Sequence, residues 1–155
     1  MESPFSTIYL AADHAGFAHK ELVKTHLAER GFNVMDCGAD QLDEEDDYPD
    51  YISRAAKEVS RDQTAGAIIF GGSGQGEAMV AGRFPHVRAT VCYGGVMADK
   101  IVKLGREHNN ANVLSIGSRF IGDDNLLPLV DLWLGTAFSN EERHIRRLTK
   151  FNNIH

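Results

Sequence analysis

Residues 67–77 read A-I-I-F-G-G-S-G-Q-G-E, and this stretch decides how the rest of the chain is arranged. The apolar run at residues 67–70 predicts a short buried strand, and the glycines after it predict a bare backbone loop. Residues 78–81 can then begin a helix. Unpaired N–H groups of such a loop, together with the positive end of the helix dipole, form a site for a negatively charged oxygen. Glu77 places a carboxylate in the first turn, either to complement the dipole or to take part in chemistry.

Apolar runs elsewhere predict four more strands, and segments with helical periodicity alternate with all five. The predicted strands lie at residues 6–12, 32–37, 67–70, 88–93 and 113–116. No long linker or internal repeat interrupts the alternation. This pattern is typical of a parallel sheet with helices on both faces, so we expect a doubly wound α/β domain. A polar segment at residues 140–152 follows the last long helix.

The composition excludes several classes of protein. The chain has 155 residues, 43% of them hydrophobic, which suits one domain that buries about 70% of its unfolded surface. A net charge of −6 argues against general nucleic-acid binding. No apolar run approaches the roughly 20 residues that span a membrane, and the N-terminus lacks the pattern of a signal peptide. Cys37 and Cys92 lie in apolar runs, so we expect them to be buried free thiols and not a disulfide or a metal site. We therefore expect a cytoplasmic protein.

Polar residues follow several predicted strands at their carboxyl ends, where ligands bind in such sheets. Asp13 and His14 follow the first predicted strand. The glycine loop follows the third strand, and Arg119 follows the fifth strand. The loop matches neither the dinucleotide fingerprint nor a P-loop, no zinc pattern is present, and Ser73 lacks the context of a nucleophile. A carboxylate, an anion loop, histidines and arginines suit proton transfer on a phosphorylated polyol.

Six motifs follow one another along the chain: A-D-H-A-G at 12–16, D-Y-P at 47–49, G-G-S-G-Q-G at 71–76, R-E-H-N-N-A-N at 106–112, G-S-R at 117–119 and R-H-x-x-R at 143–147. In sequence and in order they resemble the motifs of the type B ribose-5-phosphate isomerases and their galactose-6-phosphate and allose-6-phosphate isomerase relatives. The resemblance implies a Rossmann-like fold in one isomerase domain, residues 1–155. It also implies aldose–ketose isomerisation through an enediolate, as in the pentose phosphate pathway, without metal or cofactor.

The resemblance also implies roles for individual residues. Many family members carry a cysteine base at the position of Gly71, whereas one branch has glycine there and a glutamate directly after the loop. This chain matches that branch, which implies Glu77 as the base and His108 as the residue that opens the sugar ring. The implied substrate-binding residues are Asp13, His14, Tyr48, Gly72, Ser73, Gly74, Gln75, Gly76, Asn109, Arg119, Arg143 and Arg147.

The resemblance implies a homodimer, or a dimer of dimers, with active sites shared between subunits. The C-terminal extension, about residues 140–155, would contact the partner subunit and bring Arg143 and Arg147 to its bound phosphate. Ribose 5-phosphate is the expected substrate. Allose 6-phosphate, galactose 6-phosphate or a tetrulose 4-phosphate remain alternatives, as does a non-catalytic sugar-phosphate-binding regulator, which would need neither Glu77 nor His108. We interpret Arg106 and Glu107 as surface residues, and the acidic run at 43–47 as solvated charge without chemistry.

Overall fold

The computed structural model describes residues 3–154, which form five β-strands and six α-helices; strands and helices alternate up to the fifth helix, and the sixth follows it directly. The strands are β1 (Thr7–Ala12), β2 (Val34–Asp36), β3 (Ala65–Gly71), β4 (Ala89–Cys92) and β5 (Val113–Gly117). The helices are α1 (Phe17–Glu29), α2 (Tyr48–Arg61), α3 (Gln75–Ala81), α4 (Ala98–Asn109), α5 (Asp123–Gly135) and α6 (Glu142–Asn152). A short 3-10 turn, Ser118–Phe120, follows β5. Within this described part, no helix combines the length and apolarity that crossing a membrane requires.

The strands form one parallel sheet in the order β2-β1-β3-β5-β4. The doubly wound α/β fold expected from the sequence is therefore confirmed. Chain order reverses between β1 and β3, which pair along their whole length up to Ala12 and Phe70. Because ligands in such sheets bind where the order reverses, this topology directs attention to the segments after β1 and β3.

Strand β3 lies at the centre of the sheet, and all seven of its residues are buried. Its side chains alternate between two cores, as the period of a strand requires. Ile68 and Phe70 pack on one face with residues of α1, α4 and α5, while Ala67 and Ile69 pack on the other with residues of α2 and α3. Helices therefore cover both faces of the sheet, and the loop after β3 begins at the middle strand of the sheet.

Helix α4 extends further than the periodicity at residues 96–104 predicted, since it runs on to Asn109. Its last turns contain Arg106, and the prediction that Arg106 lies on the surface is wrong, because only 1% of it is exposed. The guanidinium donates hydrogen bonds to the carbonyl oxygens of Thr136, at 3.0 Å, and Ala111, at 2.6 Å. It also stacks over the rings of Phe5 and Trp133. Burial lowers its pKa to about 10.

These contacts explain why a charged side chain is buried there. The planar guanidinium has donors for carbonyl oxygens at the end of α4 and flat faces that suit aromatic rings. Arg106 therefore fixes the end of α4, which carries His108 and Asn109, against the segment that follows α5. Glu107, predicted to be a surface residue, is half-buried beside it.

Candidate active site

A cavity of about 330 Å³ opens where the order of the strands reverses. Its walls come from the segments that follow β1, β3 and β5 and from the start of α2. The residues that line it are Asp13, His14, Ala15, Tyr48, Gly72, Ser73, Gly76, Glu77 and Arg119. Apart from Ala15, every one of these residues was proposed from the sequence as catalytic or substrate-binding. One chain thus brings together the residues expected from three strand ends.

The glycine loop depends on residues without side chains. Gly74 has φ +72°, in the left-handed region, and a Cβ there would lie 3.0 Å from the backbone nitrogen of Gly117. A Cβ on Gly76 would lie 2.8 Å from the hydroxyl oxygen of Tyr48. Only glycine therefore lets the loop approach both β5 and α2. The Ser73 hydroxyl accepts a hydrogen bond from the Gln75 backbone N–H at 3.3 Å, directly before α3, whose N-cap residue is Gly74.

Glu77 lies in the first turn of α3, and its carboxylate folds back onto the end of β3. A Cβ built on Gly71 would lie 1.8 Å from its Oε1, so the carboxylate occupies the volume of the missing side chain. Only 4% of Glu77 is exposed, whereas a glutamate that only complements a helix dipole can remain in water. Burial, assisted by the charge of Asp13, raises its pKa. A carboxylate with a raised pKa is a stronger base near neutral pH.

His14 is held by Asp46, which lies in the acidic run at residues 43–47. The Asp46 Oδ1 atom accepts hydrogen bonds from the His14 backbone N–H at 3.0 Å and from its Nδ1 at 2.7 Å. Only 3% of the Asp46 side chain is exposed, so its interpretation as a solvated charge is wrong. Nothing in the sequence distinguishes it from its acidic neighbours, because its burial depends on how the loop after β2 packs. The hydrogen bond to Asp46 raises the pKa of His14.

Three side chains in the described part of the chain lie close enough together to bind one metal ion between them. The possible ligand atoms of Asp13, His14 and Asp46 lie within 4.8 Å of one another. Hydrogen bonds already engage all three of these groups, however. Asp13 Oδ1 accepts from the backbone N–H groups of Ala15 and Gly16. Asp46 Oδ1 accepts two more hydrogen bonds, both from His14. The arrangement fits a hydrogen-bonded polar cluster better than a prepared metal site.

The predicted residues of the C-terminal third lie away from this cavity. His108, in the last turn of α4, packs on the ring of His144 in α6, with 4.3 Å between ring centroids. It lines a separate cavity together with residues 135–139. Asn109 and Arg147 line another one, and Arg143 forms an exposed ion pair with Glu141 at 2.8 Å. A single chain therefore does not bring these residues to Glu77.

Two residues of the glycine loop also face away from the cavity. Gly74 packs against β5, where its carbonyl oxygen accepts a hydrogen bond from the Ser115 hydroxyl at 2.6 Å. The Gln75 amide donates to the hydroxyl oxygen of Tyr93 at 2.9 Å. Both residues support the loop from outside the cavity in this structure.

Known proteins of one family resemble this chain along almost its whole length. The Ribose/Galactose Isomerase family profile matches residues 8–151. Ribose-5-phosphate isomerase B of Mycolicibacterium paratuberculosis and that of Escherichia coli are each 38% identical over 141 residues, which is 91% of this chain and 86% and 91% of the relatives. The solved structure of ribose-5-phosphate isomerase B from Mycoplasma genitalium with bound ribulose-5-phosphate has a TM-score of 0.87 and 35% identity, and covers 94% of this chain and 93% of that chain.

The fit between Gly71 and Glu77 gives a test that needs no activity assay. Gly71→Ala should destabilise the protein by about 1–3 kcal/mol, the usual cost of overpacking, because the new methyl group meets the Glu77 carboxylate. In a Glu77→Ala background the same change should cost much less, because that carboxylate is gone. Urea unfolding of the four proteins measures this coupling. An equal cost of Gly71→Ala in both backgrounds would show that the two residues do not compete for space.

Proposed function

The chain belongs to the ribose/galactose isomerase family, and we propose that it interconverts ribose 5-phosphate and ribulose 5-phosphate. The observation that carries the proposal is the buried Glu77 carboxylate in a cavity that also presents Asp13, His14 and Arg119. A base in a partly dry site, beside groups that bind oxygen anions, is what proton transfer next to a carbonyl requires. The bound ribulose-5-phosphate in the Mycoplasma genitalium relative supports a phosphorylated pentose as substrate.

We propose Glu77 as the base that moves the proton between carbons 1 and 2. Its carboxylate removes the proton from carbon 2 of the open-chain aldose, and the electron pair forms the carbon 1–carbon 2 double bond of the enediolate. At the same time the electron pair of the carbon 1 carbonyl moves onto its oxygen. When Glu77 returns the proton to carbon 1, the hydroxyl proton on the carbon 2 oxygen moves to the carbon 1 oxygen, so that carbon 1 carries a hydroxyl group and carbon 2 becomes the carbonyl of the ketose. N–H groups of the part of the glycine loop that lines the cavity, at Gly72, Ser73 and Gly76, would stabilise the enediolate oxygen, and Arg119 would bind an anionic group.

We further propose that a second copy of the chain completes each active site. His108, Asn109, Arg143 and Arg147 lie outside the Glu77 cavity in their own chain. Helix α6 supports this assembly, since His144 is its only buried residue in the described chain.

Exposed apolar side chains also lie on three of the helices, and they are the kind of residue that an interface between subunits would bury. They belong to α3, α4 and α6 and are Met79, Ile101, Leu104, Ile145 and Phe151. In this proposal His108 of one subunit opens the sugar ring at the neighbour's site, where Arg143 and Arg147 bind the phosphate. Residues from about 140 onwards would form the arm that reaches the partner.

The state of the two cysteines bears on the cellular compartment of the protein. Cys37 and Cys92 are free thiols, and burial raises the pKa of each to about 11. Thiols of this kind are unreactive and compatible with a reducing environment. We propose the cytoplasm as the location of the enzyme.

An assay of sugar phosphates tests the function, and Glu77→Gln tests the base. Ribose 5-phosphate should be converted with or without a chelator, and faster than allose 6-phosphate, galactose 6-phosphate or a tetrulose 4-phosphate. Glu77→Gln should lower kcat by about 10²–10⁴-fold with little change in KM, the usual share of a general base. Because the base must be ionised, wild-type activity should fall with decreasing pH already above the ordinary glutamate range.

Glu29→Gln is the matched control, because Glu29 is exposed at the end of α1 and lies outside the cavity. It should keep wild-type kcat and KM. A Glu77→Gln variant with near-normal kcat would remove Glu77 from the mechanism. Binding of sugar phosphates without turnover of any of them would instead favour a regulator.

Mixing of inactive chains tests the shared site. A Glu77→Gln chain and an Arg143→Ala/Arg147→Ala chain should regain activity when their subunits exchange, because one site of each mixed dimer receives the intact base and the intact arginines. The other site carries both defects. A Glu77→Gln chain mixed with a Glu77→Ala chain is the control, because neither site of that mixed dimer contains the carboxylate. Confirmed exchange without recovery in the first mixture would contradict the shared site.

A further inference from the structure

Asp46 is unusual among the five consecutive acidic residues at 43–47. It has the one side chain of the run that is closed off from solvent, with 3% exposed, while Asp43, Glu44, Glu45 and Asp47 are exposed. Its Oδ1 atom accepts both hydrogen bonds from His14, and its Oδ2 atom is buried without a hydrogen-bond partner among residues 3–154. A buried carboxylate with one unpaired oxygen costs stability. Packing alone therefore gives no reason for an aspartate at this position.

The hydrogen bond between Asp46 and His14 fixes the histidine ring. An ionised carboxylate can only accept, so the Nδ1 atom of His14 must carry a proton and donate it. Because Oδ1 also accepts from the His14 backbone N–H, the carboxylate is anchored to the same residue at two points. His14 lines the cavity with Glu77, and its Nε2 atom is the ring nitrogen left for a ligand there. A carboxylate that orients a histidine in this way is a common arrangement at active sites.

The charges around His14 favour its cationic form. The hydrogen bond to Asp46 is the largest cause that raises the pKa of His14, and the charges of Asp13 and Asp46 raise it further. Burial and the positive charge of Arg119 act in the opposite direction. Tyr48 and Glu77 are the other titratable groups that line the cavity. An imidazolium ion near the Arg119 guanidinium gives this part of the cavity two cations, which suits an anionic ligand.

We propose that Asp46 is a positioning residue, which holds His14 so that its Nε2–H donates a hydrogen bond to the phosphate group of the substrate. This inference rests on the proposed function, since it assigns a role within the same site. Asp46 itself need not contact the substrate. It acts through His14, by fixing the direction of the ring and by favouring its protonated form.

Asp46→Asn tests the proposal, because asparagine keeps the size of the side chain and one acceptor oxygen but removes the negative charge. KM for ribose 5-phosphate should rise by about 10–100-fold, the usual worth of a hydrogen bond to a charged group, while kcat changes only a few-fold. The inhibition constant of inorganic phosphate should rise in parallel. Because His14 loses its proton at lower pH in the variant, KM should also begin to rise at lower pH than in the wild type.

Glu44→Gln removes the same charge from the exposed part of the acidic run and should leave KM and its pH dependence unchanged. In a His14→Asn background, Asp46→Asn should cause no further loss, because Asp46 acts through His14. A KM for Asp46→Asn equal to that of Glu44→Gln would overturn the proposal. So would an additional loss in the His14→Asn background, or a fall in kcat with unchanged KM, which would move His14 to proton transfer.

An NMR titration of the His14 ring separates this inference from the proposed function. The titration of free wild-type and Asp46→Asn protein should give a lower pKa in the variant, and inorganic phosphate should shift the His14 signals of the wild type. Both results can be obtained even if the protein does not isomerise ribose 5-phosphate. An unchanged His14 pKa would overturn the role of Asp46 whatever the enzyme assay shows. If Asp46→Asn does not fold, His14→Asn must raise KM in the same range, and normal KM there would contradict the proposal.

Discussion

The empty side-chain position at Gly71 is the constraint on which the candidate site depends. Strand β3 is buried over its full length and ends at this residue, so a carboxylate reaches the strand end only if the backbone leaves room for it. Glu77 takes that room from the first turn of α3, and the same burial strengthens it as a base. The position of the Glu77 carboxylate and its raised proton affinity therefore have one physical origin.

The sequence predicted the parts of the molecule that local patterns determine. Apolar runs and glycines locate the five strands and the loop at residues 71–77, because strand burial and positive φ leave direct signatures in residue type. The order of β4 and β5 in the sheet was not predicted, because nothing local records which strand pairs with β3. Arg106 and Asp46 were misinterpreted for a related reason. Each is a charged residue whose burial is decided by partners distant in sequence or by loop packing, namely Phe5 and Trp133 for one and His14 for the other.

The candidate site residues fall into two groups that differ in how the fold positions them. Residues after β1 and β3 meet in one cavity because parallel strands end at the same edge of the sheet. His108 lies on α4 and the arginines Arg143 and Arg147 lie on α6, outside that cavity. There Arg106 fixes the end of α4 to the segment after α5. The first group is complete within one chain, and the second presents its functional groups outwards. Under the proposed shared site, this division would make assembly of two subunits a condition for chemistry.

The order of the strands also bears on how the chain is made. Strand β4 pairs with β5, which follows it in the chain, and β5 alone connects it to β3. While the polypeptide emerges from the ribosome, β1, β2 and β3 can already associate, but residues 89–92 must wait until residues 113–117 have been synthesised. During that interval the central strand has an open, apolar edge, which is the kind of surface that other chains can pair with. The topology that creates the ligand crevice therefore also creates a vulnerable interval during synthesis, one in which a chaperone would be of use.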